Sequence, residues 1–416
     1  MSQTNKRNSV LVDGSNNHEK VIYFMTKAFR IKNNYTLYQA KKFAEDNKKD
    51  LLVYMVEPYE ENSKILDFFY NYSEDLFEKL HQFSDDIKMI KRDVNIEKIL
   101  ADVHTIFIDK SYLKFDIDFL TKLKKYALEN DLTIIEVEVN VFVPITLASD
   151  KEEYGARTIR KKINDKLSDF QDEVLEDAQV SQGEKEALNR LQDFIDNKLD
   201  KYDEHNDPSK DLTSNLSPYL KFGFISPVTI YNLMKDIKSD SKEDFLEELI
   251  VRRELAYNFV YYNSNYDKFD GMTEKWAYQT MKKHKGDERE YLYTKEDYIH
   301  FKTHDPYFNA AMMEMIYLGK MHSYMRMYWA KKIIEWSKDY KEAYQTTLEL
   351  NNYYFYDGLT PNSYTGVAWC YGKHDRAWFE REIFGKLRYM NANGLKRKFN
   401  IEDYVQKMKE VKGEKE

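Results

Sequence analysis

Five side chains recur at steps of four, three, four and three: His322, Arg326, Trp329, Ile333 and Trp336. That spacing puts them on one face of a helix. A guanidinium among aromatics on a core-facing stripe requires an anionic or carbonyl partner, because an unpaired charge there is costly. Farther along, Trp369, Arg376, Trp378, Arg381 and Arg388 lead into the run Lys396-Arg397-Lys398. Aromatics interleaved with cations read as a nucleic-acid surface. Core packing and a solvated basic face are the plainer alternatives for these two halves. Thr213-Ser214-Asn215-Leu216-Ser217 gathers hydroxyl and amide groups ahead of an apolar stretch. Such groups at a helix start can bind phosphate, and capping alone accounts for one of them, hardly three. Glu254, Tyr257 and Asn258 share a helical face by spacing. Glu254 sits in an apolar run, so it is either paired with Arg252 or Arg253 or poised for a ligand, and pairing is the simpler reading.

These residues need elements to position them. Asp305-Pro306 is a helix start signal, and the stretch after it reads as one long helix carrying the stripe. The segment after residue 357 reads as loop-rich. Ser241 with Asp244 has the spacing of a capping box ahead of DFLEELIVRRELAYNFVYY. Upstream, short apolar runs at 21–25, 51–56, 104–109 and 133–139 alternate with helix-like stretches at 36–47, about 63–82 and 115–130. That order predicts a parallel sheet of doubly wound type over 20–150. Gly14 is the only glycine before Gly155, so no GxGxxG loop exists there and the usual dinucleotide cradle is excluded. A scaffold or docking surface is the simpler role for that domain. Residues 1–19 read as a disordered tail, 151–210 as a charge-dense connector, and 211–410 as an all-α domain.

Composition sets bounds on function. The chain has 416 residues, 42% hydrophobic and 33% charged, an ordinary globular mix with room for two domains. No apolar run reaches membrane-helix length, and the polar start MSQTNKRNS does not resemble a signal peptide. Cys370 is the sole cysteine, which excludes internal disulfides and CxxC chemistry and points to cytosol or nucleus rather than secretion. Net charge is −8, yet residues 364–400 carry eight basic against three acidic side chains. A local positive excess on an acidic protein suggests a defined polyanion site.

The motifs RTIRKKI, SNLSPYLKFG, RRELAYNF, KTHDPYFNAA, KMHSYMRMYWAKKIIEW, DGLTPNSYTG, GKHDRAW and FGKLRYMN stand in this order. Together they resemble class II cyclobutane pyrimidine dimer photolyases of the photolyase/cryptochrome family, over roughly residues 20–405. The resemblance implies a Rossmann-like α/β N-terminal domain, a connector and an all-α C-terminal domain holding FAD. It implies a light-driven DNA-repair lyase, acting as a monomer, in which FADH⁻ donates an electron to a flipped-out dimer and recovers it after the ring splits. Protein groups then position, tune and exclude water, and the lesion must leave the stack. By motif match, Tyr202, Thr213, Ser214, Asn215, Leu216 and Ser217 line the FAD phosphates and ribityl chain. Arg326 and Asp357 form a buried salt bridge at the isoalloxazine, with Gly358 also at the cofactor, and Asn351 faces flavin N5. Glu254 hydrogen-bonds the dimer bases during splitting. Met327, Tyr257 and Trp369 pack on the lesion. Asp375, Arg376, Lys386 and Arg388 belong to the hairpin and helix that fill the duplex gap.

Three positions depart from that pattern. Phe308 stands where the family has the middle tryptophan of an electron chain whose other members are Trp329 and Trp336. Photoreduction is then expected to be slow or rerouted through Tyr317, Tyr324 or Tyr328, while repair by pre-reduced flavin survives. His205 replaces an arginine ahead of Asn206-Asp207-Pro208. The segment Val139-Asn140-Val141-Phe142-Val143-Pro144 departs from HNxVP, which leaves an antenna chromophore open. The rival readings are a cryptochrome-like photoreceptor without repair and a non-enzymatic DNA-binding protein that retains the fold.

Overall fold

The computed structural model describes residues 6–415. They fall into two compact units. The first takes the chain to Asp150 together with Ile159–Asn197 and Ser214–Glu254. The second takes Lys151–Thr158, Lys198–Thr213 and the chain from Leu255 onward.

The first unit is built on six strands: β1 (Asn8–Val12), β2 (Lys20–Met25), β3 (Asp50–Val56), β4 (Asp86–Ile90), β5 (Val103–Asp109) and β6 (Thr133–Val137). Their order is β1-β6-β5-β2-β3-β4, and every pairing is parallel except β1 with β6. β2 lies between β5 and β3, and Val21 to Met25 are wholly buried, as a strand covered on both faces must be. Ile22, Phe24, Tyr54, Ile106 and Ile108 from the sheet pack with Phe119 and Leu123 of the helix Lys114–Glu129. The doubly wound expectation therefore holds, with one correction at its start. Residues 8–12, expected in a disordered tail, form edge strand β1, and Arg7 beside it is buried. The Arg7 guanidinium donates to the carbonyls of Glu138 (3.1 Å), Val141 (2.9 Å), Phe142 (2.8 Å) and Phe170 (3.3 Å).

The turn after β2 shows how this sheet manages without a glycine-rich loop. Asp109, at the end of β5, accepts from the amides of Thr26 (2.9 Å), Lys27 (2.9 Å) and Ala28 (3.1 Å). Amides at this position cradle a phosphate in dinucleotide folds; here a protein carboxylate satisfies them.

The second unit is helical, and its helices begin at side chains that take up the free amides of the first turn. Asp305 accepts from the amides of Tyr307 (2.9 Å) and Phe308 (3.2 Å). Asp339 and Thr360 do the same for Tyr340–Tyr354 and Pro361–Cys370. The long helix expected after Asp305 is two helices, Pro306–Leu318 and Ser323–Trp336. Gly319 ends the first at φ +64°, and a Cβ there would lie 2.5 Å from the ring of Tyr356, so no other residue fits without a shift. His322 starts the second by accepting the Tyr324 amide at Nδ1 (3.2 Å). The segment expected to be loop-rich contains the helices Pro361–Cys370, Ala392–Lys398 and Ile401–Lys415, with its one long loop from 371 to 391. Ser241 forms no capping box; the six residues after Leu246, Glu247–Arg252, wind as a π-helix before Arg253–Tyr262 resumes α geometry. No helix among the described residues is long and apolar enough to cross a membrane.

Candidate active site

Arg326 finds the partner its stripe demanded. Its Nη2 donates to both carboxylate oxygens of Asp357, at 2.9 and 3.1 Å, and its Nε donates to the Met321 carbonyl at 3.0 Å. The guanidinium lies 3.8 Å over the Phe355 ring. The pair is half-buried, with 28% and 18% of the two side chains exposed, so it faces an opening and is not sealed in the core. The helix break at 319–322 makes this possible, because it leaves the Met321 carbonyl outside any helix and within reach of Nε. Glu314 fixes the break: its carboxylate accepts the His322 amide (3.1 Å) and the Tyr404 hydroxyl (2.7 Å). With Nδ1 of His322 engaged as an acceptor, Nε2 carries the proton and donates to the His205 carbonyl at 2.8 Å. Burial pushes the His322 imidazole down to about 4, in keeping with a neutral ring. His205 in turn stacks on Tyr202 at 4.1 Å and 9°.

Asn351 lies close by in the chain on the helix Tyr340–Tyr354, and its amide orientation follows from its neighbours. The Leu359 amide can only donate, and it donates to Asn352 Oδ1 (3.2 Å). The Asn351 atom facing that same oxygen at 3.1 Å is therefore its NH2, which also reaches Ser363 Oγ (3.0 Å). This leaves the Asn351 oxygen as the acceptor the residue can offer a ligand. Gly358 lies where a Cβ would come 2.7 Å from the Asn352 carbonyl, so the turn joining Asp357 to Leu359 closes only around glycine.

Glu254 has an employment that the sequence did not reveal. It is fully buried in the first unit, with one carboxylate oxygen accepting the Phe142 amide and the other the Val143 amide at 3.2 Å. Arg252 pairs with Glu248 (2.9 Å) and Glu247 (3.8 Å), while the Arg253 charge acts on Glu254. Burial drives the Glu254 carboxyl up to about 7, against the lowering effect of the Phe142 amide. Both oxygens are taken, so a base contact requires one of these bonds to exchange. In the second unit, Asn258 accepts the Glu153 amide (2.8 Å) and donates to the Lys151 carbonyl (2.9 Å), and Tyr257 is buried.

The polar run ahead of residue 218 divides at its start: Thr213 falls in the second unit and Ser214, Asn215, Leu216 and Ser217 in the first. Asn215 adopts φ +52°, Leu216 is buried, and Ser217 opens the short helix Ser217–Phe222. Met327 is half-buried, one residue beyond Arg326. Trp329 and Trp336 are buried. Trp329 Nε1 points at Met312 Sδ (3.0 Å), and Trp336 meets Phe308 at 5.2 Å and Tyr293 at 5.4 Å. Of the tyrosines considered for rerouting, Tyr328 donates to Asp305, Tyr324 packs on Phe399 and Tyr317 on Phe301. Tyr293, which touches Trp336 directly, carried no signal in the spacing because it comes from a separate loop.

The basic segment condenses around one carboxylate. Asp375 binds Arg388 (3.1 and 3.2 Å) and Trp378 Nε1 (3.2 and 3.3 Å). Arg388 lies 4.9 Å over Trp369 and 4.2 Å over Trp378, and Arg376 also lies 4.9 Å from the Trp378 ring. Trp369 is half-buried, while Arg376 and Lys386 are exposed. An acidic residue that repels polyanions is thus turned to holding cations and an indole in register.

No family model matches the chain. Among curated proteins it is 39% identical to a deoxyribodipyrimidine photo-lyase of Methanothermobacter thermautotrophicus, over 94% of both chains. It is 40% identical to the protein of that name from Potorous tridactylus and 40% to that from Arabidopsis thaliana, over 68% of its length in each case. It spans 60% and 66% of those two proteins' own lengths. Among solved structures, a cryptochrome of Synechocystis aligns at TM-score 0.76 and 16% identity, over 94% of this chain and 89% of that one. A class III photolyase from Agrobacterium tumefaciens aligns at TM-score 0.69 and 18% identity, over 96% and 88%. These two likenesses show the fold alone. The full-length identity with the archaeal protein shows the family, and this chain belongs to the deoxyribodipyrimidine photo-lyases.

Proposed function

We propose that this protein repairs cyclobutane pyrimidine dimers in DNA by light, as a class II enzyme with FAD as its cofactor. The observation that carries the reading is the 39% identity, across 94% of both chains, with a deoxyribodipyrimidine photo-lyase. When bound in its two-electron-reduced form, FAD supplies the light-driven electron donation that opens the cyclobutane ring. The donor set in the second unit fits such a group. Arg326 offers a positive charge beside a flavin ring, held in place by Asp357 and Met321. Asn351 presents an acceptor oxygen, and an N–H such as that of reduced flavin N5 is the donor it suits. Gly358 lets the backbone approach closely. Tyr202, Thr213 and Ser214 to Ser217 are assigned to the phosphates and ribityl chain, Met327, Tyr257 and Trp369 to the lesion, and Asp375, Arg376, Lys386 and Arg388 to the strand around it. Trp329 and Trp336 are assigned to electron supply. Glu254 acts in this reading through the Phe142–Val143 segment it holds, and touches a base only if one of those bonds is given up.

The test is loss of dimers. Holoenzyme with its flavin reduced, given dimer-containing DNA and blue light, restores the pyrimidines, and the same mixture kept dark does not. Unchanged dimers after illumination would reject the reading. A cryptochrome-like photoreceptor shares the fold at TM-score 0.76, so only this activity separates the two.

A further inference from the structure

Arg7 and Glu254 take hold of the same two peptide groups from opposite ends. In the group joining Val141 to Phe142, the carbonyl accepts from Arg7 Nη1 (2.9 Å) and the amide donates to Glu254. In the group joining Phe142 to Val143, the carbonyl accepts from Arg7 Nη2 (2.8 Å) and the amide donates to the other Glu254 oxygen (3.2 Å). Both residues and the segment between them belong to the first unit. Arg7 is 2% exposed, and among the described residues no carboxylate bonds it; its donors go to four carbonyls. A buried guanidinium without a bonded counter-charge is costly, and here the charge acts on Glu254. A cation on the carbonyl of a peptide group makes the N–H at its other end a stronger donor, because chained hydrogen bonds polarise one another. The surroundings keep the two residues in line. The Arg7 carbonyl accepts the Glu138 amide (3.0 Å), the guanidinium lies 4.2 Å over Tyr35 and 5.2 Å over Phe170, and the buried Phe142 ring meets Tyr231 at 5.0 Å. Anchoring a chain end requires neither two successive carbonyls nor that their amides face one carboxyl.

We propose that Arg7 is a positioning residue for Glu254, holding its carboxyl in orientation and lending it positive potential through the two peptide groups between them. The part Glu254 plays in repair then depends on Arg7, and that consequence rests on the repair reading above; the linkage of the two residues does not. Burial raises the Glu254 carboxyl to about 7, against the lowering effects of the Phe142 amide, Arg253, the Val143 amide and Arg7. Arg253 comes from the same helix as Glu254 and Arg7 from the edge of the sheet. Glu138, the acidic residue of the intervening segment, is engaged by Lys110 (3.3 Å), Tyr112 (2.5 Å) and the Ile145 amide (2.8 Å).

The first arm of the test uses neither light nor DNA. The melting temperature of each holoenzyme is compared with that of the same protein carrying Glu254→Gln, between about pH 5 and about pH 9. In the unaltered protein the excess due to Glu254 is lost as pH rises through about 7. In Arg7→Met the loss is expected about one pH unit higher, about a tenfold gain in proton affinity, because a charge that favoured the carboxylate is gone. A midpoint unmoved in Arg7→Met, with melting lowered equally at every pH, would reduce Arg7 to an anchor and overturn the proposal. Should Arg7→Met fail to fold, Arg7 is followed in the nitrogen-labelled native chain, its side-chain resonance identified by its absence from Arg7→Lys. That resonance titrates with Glu254 and ceases to do so in Glu254→Gln; one indifferent to pH in the native chain would overturn the proposal equally. The second arm is repair by flavin reduced beforehand. Arg7→Met repairs fewer dimers per absorbed photon at unchanged dark affinity, and adding Glu254→Gln costs less than it does alone. Fully additive losses would separate the two residues in repair and overturn the positioning role. No repair by the unaltered holoenzyme would sink the repair reading, while the first arm still decides the linkage.

Discussion

Glu254 is fully buried, and the Phe142 and Val143 amides with the charges of Arg253 and Arg7 offset that burial only in part. The folded protein therefore prefers the protonated acid, with the carboxyl raised from 4.5 to about 7. Between those values the folded state binds more protons than the unfolded chain, so the site's contribution to stability is full below about 4.5 and is lost as pH rises through about 7. The span corresponds to about 3 kcal/mol. Glu254→Gln cannot titrate, and it sets an NH2 against one of two amide donors, which costs about 1–3 kcal/mol. The expected outcome is a native melting temperature that, measured against the Gln protein, is highest near pH 5 and falls towards pH 8, to or below that of the Gln protein. A gap that is constant with pH would show that Glu254 does not titrate in this window. From residue types alone, Arg252 and Arg253 were the obvious partners; the two backbone amides that also hold the carboxylate are announced by no side-chain pattern. The same blindness covers the cations. Lys331 is buried with its ammonium on the Cys370 carbonyl (2.5 Å), and Lys373 is buried between Glu152 and Glu274, yet in sequence both look like the exposed lysines nearby.

At the scale of elements, a cap signal was right where the side chain takes up the first-turn amides, as at Asp305, and wrong where it does not, as at Ser241. Asp305-Pro306 marked a helix start correctly because a cap acts within three residues. Gly319 was an equally local stop signal, but the apolar stripe running on past it masked the break, and the break is what brings the Met321 carbonyl to Arg326. β1 was unreadable because its ladder comes from β6, more than a hundred residues away. Phe308 was legible as a departure, and its surroundings say what it changes. Its ring is fully buried and meets Trp336 at 5.2 Å, where an oxidisable indole would link that tryptophan onward. Phe308→Trp should speed photoreduction of the oxidised flavin severalfold, read as the rate of flavin bleaching under blue light with an external reductant. Dimer repair by enzyme reduced beforehand should not change. The larger ring enters a filled site, so stability should fall by about 1–3 kcal/mol. An unchanged bleaching rate in the folded variant would mean that electrons reach the flavin by a route that bypasses this position, for which Tyr293 against Trp336 is the nearest candidate.

For the whole molecule the decisive quantity is the contrast between a net charge of −8 and the basic excess within residues 364–400. Counting charges in sequence overstates that patch, since Lys373 is buried in its double glutamate pair and Arg388 is bound to Asp375. Arg376, Arg381, Lys386, Lys396, Arg397 and Lys398 remain at the surface. Three of these close the helix Ala392–Lys398, where cations suit the dipole. Two of the three are steadied by rings, Lys396 over Tyr307 (5.7 Å) and Lys398 over Tyr324 (5.1 Å). If each surface cation meets one phosphate, dark binding of duplex DNA should weaken with salt at a log–log slope no steeper than about −5. The acidic remainder of the chain repels DNA, so few contacts outside this patch can add to that slope. Replacing Lys396, Arg397 and Lys398 together by glutamine should reduce the slope by about 2 to 3 and weaken lesion and undamaged duplex alike, because phosphate contacts position without reading sequence. A triple variant whose slope matches that of the unaltered protein would place the phosphate contacts elsewhere, and would detach the charged helix end from the DNA surface.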